Sequence, residues 1–138
     1  MKITQFNFDN ILNKNYLFEK NPQIAVAVSG GPDSMALVFL LHNWILLKKG
    51  TLIALIVDHQ LRINSNKEAK ITKIYLDKHK IKSKILKVNK NYIKKKTMNE
   101  ARRNRFDKIL NFCNKKKILH LFIAHHYDDN LETFLLIK

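Results

Sequence analysis

IAVAVSGGPDSMALVFLL, residues 24–41, is the stretch that decides the fold of this chain. Residues 24–28 form a short β-branched and apolar run, the pattern of a strand buried on both faces. Ser29, Gly30, Gly31 and Pro32 cannot extend that strand and make a tight turn. Asp33 or Ser34 can cap a helix, and residues 35–41 supply two nearly all-apolar turns. A strand, a glycine turn and a helix start therefore follow one another. A helix N-terminus carries unpaired N–H groups and partial positive charge, so it favours an anion. Gly30 and Gly31 let an anion approach the backbone, and the hydroxyls of Ser29 and Ser34 add donors. Neither GxxxxGK[ST] nor GxGxxG is present, which excludes a Walker loop and the dinucleotide fingerprint. The plainer alternative is a strand-to-helix turn with no ligand.

The 138 residues suffice for one domain with its own core, and 46% apolar content argues for a folded chain. No apolar run reaches the roughly 18 residues of a membrane span, and MKITQFNFDN lacks a signal-peptide core. A single cysteine, Cys113, allows neither an internal disulfide nor a four-cysteine metal site. These features lead us to expect a cytoplasmic protein. The formal charge is +15 and uneven: residues 67–117 hold 19 Lys and Arg against 4 Asp and Glu, while the remainder is balanced at 7 and 7. Such a block attracts phosphate backbones, so RNA or DNA is the natural partner. Compositional bias towards lysine is the competing explanation, and it leaves the neutral flanks unexplained.

Working outward, residues 1–23 read as an amphipathic helical lead-in ending at Pro22. The first helix after the glycine turn spans about 34–49 and stops at Gly50. Residues 51–57, TLIALIV, form a second buried strand, which delivers Asp58, His59, Gln60, Leu61 and Arg62. In a parallel sheet these follow a strand on the same rim as the Ser29 turn; an Asx turn leaving the strand is the alternative. A helix over 66–80 and a short strand over 83–88 come next. The basic loop 90–97 has Tyr92 available for base stacking, and a solvated loop fits equally well. Residues 98–114 read as a helix on which Arg102 and Arg105 lie three apart, a spacing that suits phosphate binding or plain surface. Residues 118–124 form a fourth strand, with His120 structural. It ends in His125, His126, Tyr127, Asp128, Asp129, Asn130, Leu131, Glu132 and Thr133. Asp128 or Asp129 would cap a final helix of about two turns, with Glu132 completing a capping box. Carboxylates beside a triphosphate hold Mg²⁺, whereas zinc is disfavoured by the hard ligands.

SGGPDS resembles the PP-loop, SGGxDS, of the N-type ATP pyrophosphatases. VDHQLR, EARRNRF and AHHYDDNLET are similar to three further signatures of the tRNA(Ile)-lysidine synthetases, in the same order. Gln60 stands where a glycine is usual, Phe106 where a tyrosine is, and Asn130 where a glutamine is. The resemblance covers about residues 24–138. It implies an α/β, adenine nucleotide alpha hydrolase-like fold, with a parallel sheet flanked by helices. It implies ligation of lysine to C2 of the wobble cytidine of tRNA(Ile), through an adenylated intermediate, with release of AMP and pyrophosphate. ATP and Mg²⁺ are the implied cofactors, and a tRNA(Ile) with a CAU anticodon and free L-lysine the implied partners, with no membrane. Oligomeric state is left open, a dimer included.

By that resemblance Ser29, Gly30, Gly31, Pro32, Asp33 and Ser34 would hold the pyrophosphate. Val57, Asp58, His59 and Arg62 would lie near the adenosine. Arg102, Arg105, His125, His126, Glu132 and Thr133 would line the rest of the site. Asp33, Asp128 and Asp129 would hold Mg²⁺, and these three with Arg102 and His125 form the catalytic set. The expected organisation is a lead-in over 1–23 and a catalytic domain over 24–138, short at its C-terminus, where a missing fifth strand would leave a sheet edge open. A non-catalytic nucleotide- or RNA-binding remnant, or another PP-loop tRNA-modifying enzyme, are the alternatives.

Overall fold

The computed structural model describes the backbone of residues 4–28, 32–58, 64–87, 98–127 and 130–137; within these, side chains are described except at 32, 33, 65, 98–102, 104, 105 and 124–137. The elements are α1 (Gln5–Asn15), β1 (Gln23–Val28), α2 (Pro32–Leu47), β2 (Thr51–Asp58), α3 (Ser65–Lys78), β3 (Lys82–Lys87), α4 (Met98–Lys115), β4 (His120–Tyr127) and β5 (Asn130–Ile137). They build one sheet in the order β3-β2-β1-β4-β5. The first four strands are parallel.

The order follows from the connections. The α2 and α3 crossovers each step one strand outward from β1, and α4 then carries the chain back past β2 and β1. Right-handed crossovers put helices of opposite travel on opposite faces of a sheet. The two apolar clusters match this. Ile24, Val26 and Val28 of β1, with Leu52, Ala54 and Ile56 of β2, pack against Leu37, Leu41 and Trp44 of α2 and Ala69 and Leu76 of α3. The alternate residues Ala25 and Leu55 pack against Ile109 and Cys113 of α4. Strand side chains alternate between faces, so residues 24–28 of β1 and 52–57 of β2 are apolar at every position and serve both layers.

α1 completes the first layer through Phe8 and Leu12. Trp44 is fully buried, and its indole N–H donates to Asn13 Oδ1 at 3.2 Å. His120 is structural, as expected. It is 3% exposed at the start of β4, its Nε2 lies 3.2 Å from Glu19 Oε1, and the Phe18 ring sits 4.6 Å away.

One expectation is overturned. Residues 130–137 form no helix; they are an antiparallel strand on β4, with Tyr127 paired to Asn130 and His120 to Ile137. The capping pattern lost to a stronger demand. A two-turn helix is marginal, whereas β4 would otherwise present an open row of backbone groups. Thr133, Phe134 and Ile137 favour a pleated strand, so the fifth strand is present and the edge of β4 is covered. Asp128 and Asp129, which join the two strands, lie outside the described residues.

Gly50 was expected to stop α2, yet the stop is one residue earlier. Lys49 takes the left-handed conformation, φ 55°, and Gly50 N–H donates to Ile45 O at 3.1 Å. The same closure ends α3 at Lys80, φ 61°, with Ile81 N–H on Leu76 O at 3.0 Å, and α4 at Lys117, φ 57°, with Ile118 N–H on Cys113 O at 2.9 Å. These are Schellman caps with lysine where glycine is cheapest. Gly50 has a different duty: a Cβ there would collide with the Pro22 carbonyl oxygen and with Ile45.

Three outcomes are expected. Lys80→Gly or Lys117→Gly should stabilise the fold by up to about 1 kcal/mol by relieving a left-handed side chain, and Gly50→Ala should destabilise it by about 1–3 kcal/mol, both read by urea denaturation. Residue-resolved amide exchange over 130–137 should show alternating protection, every second N–H of an edge strand being unpaired; unbroken protection through 134–137 would mean a helix.

Candidate functional site

β1, β2 and β4 run parallel, so their carboxyl ends open on one rim of the sheet. Val28, the last residue of β1, pairs with Ile56, and β2 continues two residues further to Asp58. On the other side Ala27 pairs with Ile123, and β4 continues to Tyr127. Neighbouring strands lie about 5 Å apart, so the three chain exits span about 10 Å. α2 begins on the same rim at Pro32 and α4 at Met98.

The strand order reverses between β1 and β4. Crossovers leave β1 towards β2 on one side, while β4 is entered from α4 on the other. In open α/β sheets a ligand crevice forms at such a switch point, outside the strands' carboxyl ends. Val28, which ends β1, and Tyr127, which ends β4, stand on either side of this switch point.

Two of the three buried polar side chains among the described residues belong to this rim: Ser34, 5% exposed in the first turn of α2, and Asp58, 2% exposed at the end of β2. The third is His120, at the opposite rim. A carboxyl group is buried so deeply only where hydrogen bonds or positive charge offset its desolvation. Strand alternation sends Asp58 to the α2–α3 face with Ile56, and puts Val57 with Leu55 on the α4 face. The two are therefore divided between the layers, one on each side of the rim.

The remaining expected residues divide as follows. Asp33 lies in the first turn of α2, and Arg102 and Arg105 in the first two turns of α4, placed here by backbone alone. His125 and His126 lie on β4, and His125 stands opposite Glu132 and Ala124 opposite Thr133 on β5. Glu132 and Thr133 thus reach the rim on a strand rather than on the expected helix N-terminus. Ser29, Gly30, Gly31, His59, Arg62, Asp128 and Asp129 lie outside the described residues. Among the described residues no three His, Cys, Asp or Glu side chains gather as a metal site. Cys113 is buried in the α4 layer. No described helix is long and apolar enough to cross a membrane.

Sequence reasoning did not find the segment between α1 and β1, where Phe18 and Glu19 pack on His120. Nor did it find a groove of about 350 Å³ there, lined by Tyr16, Phe18, Lys20, Pro22 and Lys48 among others. That groove lies at the amino ends of the strands, away from the rim just described. Contacts between segments so far apart in sequence leave no periodic signal.

Four parallel strands whose order reverses between β1 and β4, with the N-terminus of α2 at that switch point, are the frame of a nucleotide-binding α/β domain. A family model described as PP-loop domain matches residues 1–137, and the chain belongs to that family. The fold is therefore the adenine nucleotide alpha hydrolase-like one, and a PP-loop domain binds ATP. The chain is 41% identical over 131 residues to a tRNA(Ile)-lysidine synthase of Wolbachia pipientis, covering 94% of this chain and 30% of that protein. It is 35% identical over 132 residues to a tRNA(Ile)-lysidine synthase of Orientia tsutsugamushi, covering 96% and 30%. It thus spans about 30% of the length of these relatives. Among solved structures, a U34-tRNA thiolase of Methanococcus maripaludis with a 4Fe-4S cluster superposes with a TM-score of 0.75 at 22% identity, covering 91% of this chain and 45% of the thiolase. This last likeness speaks for the fold alone.

Proposed function

We propose that the chain carries the ATP-dependent adenylation centre of a tRNA(Ile)-lysidine synthetase. The substrate is a tRNA(Ile) with a CAU anticodon. The C2 oxygen of its wobble cytidine attacks the α-phosphorus of ATP, the bond to the β-phosphate oxygen breaks, and pyrophosphate leaves. The amine of free L-lysine then attacks C2, AMP departs with the oxygen, and lysidine results. The observation that supports this reading is that β2, β1 and β4, the strands next to the three signature segments in the sequence, are adjacent and parallel, with their carboxyl ends on one rim.

The residues divide the work by position. Ser29, Gly30, Gly31, Pro32, Asp33 and Ser34 meet the departing pyrophosphate at the N-terminus of α2, where negative charge builds up. Val57, Asp58, His59 and Arg62 leave β2 on the adenosine side. His125, His126, Glu132 and Thr133 on the β4–β5 pair, with Arg102 and Arg105 of α4, surround the α-phosphate and the cytidine. The donor chemistry of the rim fits Mg²⁺: the carboxyl groups of Asp33, Asp128 and Asp129 are hard oxygen ligands, and the one thiol, Cys113, is buried in the α4 layer. Bound there, Mg²⁺ offsets phosphate charge as it develops.

A second reading is a nucleotide-binding module that does not modify RNA, which the match to the PP-loop domain by itself supports equally. ATP–pyrophosphate exchange and lysidine formation, measured with tRNA and lysine, separate the two: ATP binding without either activity supports the second. In the active case Asp33→Ala and Asp129→Ala should each lower AMP release by about 100-fold or more, with circular dichroism unchanged. Wild-type turnover in either variant removes the site assignment.

A further inference from the structure

The rim opposite the nucleotide mouth is unusually basic. Each crossover helix ends there, and lysines gather at each end: Lys48 and Lys49 after α2, Lys80 after α3 with Lys82 opening β3, Lys116 and Lys117 after α4, all exposed. A helix C-terminus carries about half a negative charge, so one lysine per end would suffice to complement it. Among the described residues none of the six forms an ion pair. The neighbouring acids are engaged elsewhere: Glu19 with His120 at 3.2 Å, and Asp77 beside Lys73 Nζ at 3.9 Å.

Three of the helix ends hold lysine in the left-handed conformation, at Lys49, Lys80 and Lys117. Asparagine adopts that conformation at less cost, and this chain is rich in asparagine. A preference for charge over conformational ease recurs at all three places. The groove of about 350 Å³ opens on the same rim, with Lys20, Lys48, Asn21 and the half-buried ring of Tyr16 in its lining.

We propose that this amino-terminal rim is a second polyanion-binding face, which holds the sugar–phosphate backbone of RNA about 20–27 Å from the mouth, the length of the six- to eight-residue strands. The lysines supply phosphate contacts at three corners. The groove offers an aromatic ring and amides to an unstacked base. A lipid surface fits less well. The exposed leucines of this rim, Leu17, Leu46, Leu47 and Leu119, come from a loop, a helix end and the connection before β4. They form no single apolar stripe of the kind an interfacial helix inserts.

The choice of RNA probe rests on the proposed function; the test itself does not need ATP. Two variants each lose four positive charges: the rim variant Lys49→Asn, Lys80→Asn, Lys117→Asn and Lys116→Gln, which keeps residues tolerant of the left-handed conformation, and a control with Lys67, Lys70, Lys84 and Lys108 each changed to Gln. Affinity for an unmodified tRNA transcript with a CAU anticodon is followed by fluorescence anisotropy across salt concentrations. The rim variant should bind at least about tenfold more weakly than the control near 100 mM salt, with a salt slope smaller by about 3 than that of the wild type, and ATP affinity should be the same in both. Equal loss in the two variants overturns the proposal, as does a wild-type chain that fails to bind the transcript. Loss of binding to phosphatidylserine vesicles with RNA binding retained assigns the rim to lipid and overturns it too. A wild-type chain that binds RNA but not ATP would sink the proposed function and leave this result readable.

Discussion

β1 is hydrogen-bonded on both edges and packed on both faces, and the remainder of the molecule is arranged by that confinement. Ile24, Ala25 and Val26 are at most 1% exposed, and the strand pairs in parallel with β2 and with β4. A strand so enclosed cannot shift register without moving apolar side chains to the wrong layer. Its carboxyl end at Val28 is therefore fixed, between two neighbours that open on the same rim two to three residues further on. The anion-binding character of the rim follows from parallel strands and right-handed crossovers, which bring the N-termini of α2, α3 and α4 to the same side.

The same geometry forces the helix C-termini to the other side, and the two rims come to differ in chemistry. The carboxyl rim holds the buried polar groups Ser34 and Asp58, with His125 and His126 on the strand end of β4 and Glu132 on β5. The amino rim is built from exposed lysines and irregular connections. The first suits a ligand that must be oriented to within a bond length. The second suits a charged polymer that need only be held. The +15 charge, which looks like one central block along the sequence, is divided in space: part runs along α3 and α4, and part joins Lys20, Lys48 and Lys49 from outside the block.

Much of this was legible in the residues. Strands buried on both faces announced themselves as unbroken apolar runs at 24–28 and 51–57, and the helices between them as longer apolar or amphipathic runs. The parallel arrangement and the structural role of His120 followed from those readings. The fifth strand was not legible, because residues 129–132 carry a good helix-capping pattern and the competing demand, an open edge on β4, belongs to the assembled sheet. The lysine caps were missed for a related reason: glycine marks a helix end in sequence, whereas a lysine forced into the left-handed conformation by the returning strand looks like any surface lysine. The division of Val57 and Asp58 between the two layers required the register of β2 against its neighbours.

The central claim is that three segments distant in sequence form a single mouth around one triphosphate. Amide hydrogen exchange with and without ATP and Mg²⁺ tests it most directly. Binding should slow exchange together in residues 29–34, 57–62 and 125–133, with one shared ATP concentration dependence, and leave the amino rim at 48–51 and 79–82 unchanged. Protection confined to a single segment, or appearing at the amino rim instead, would contradict the account.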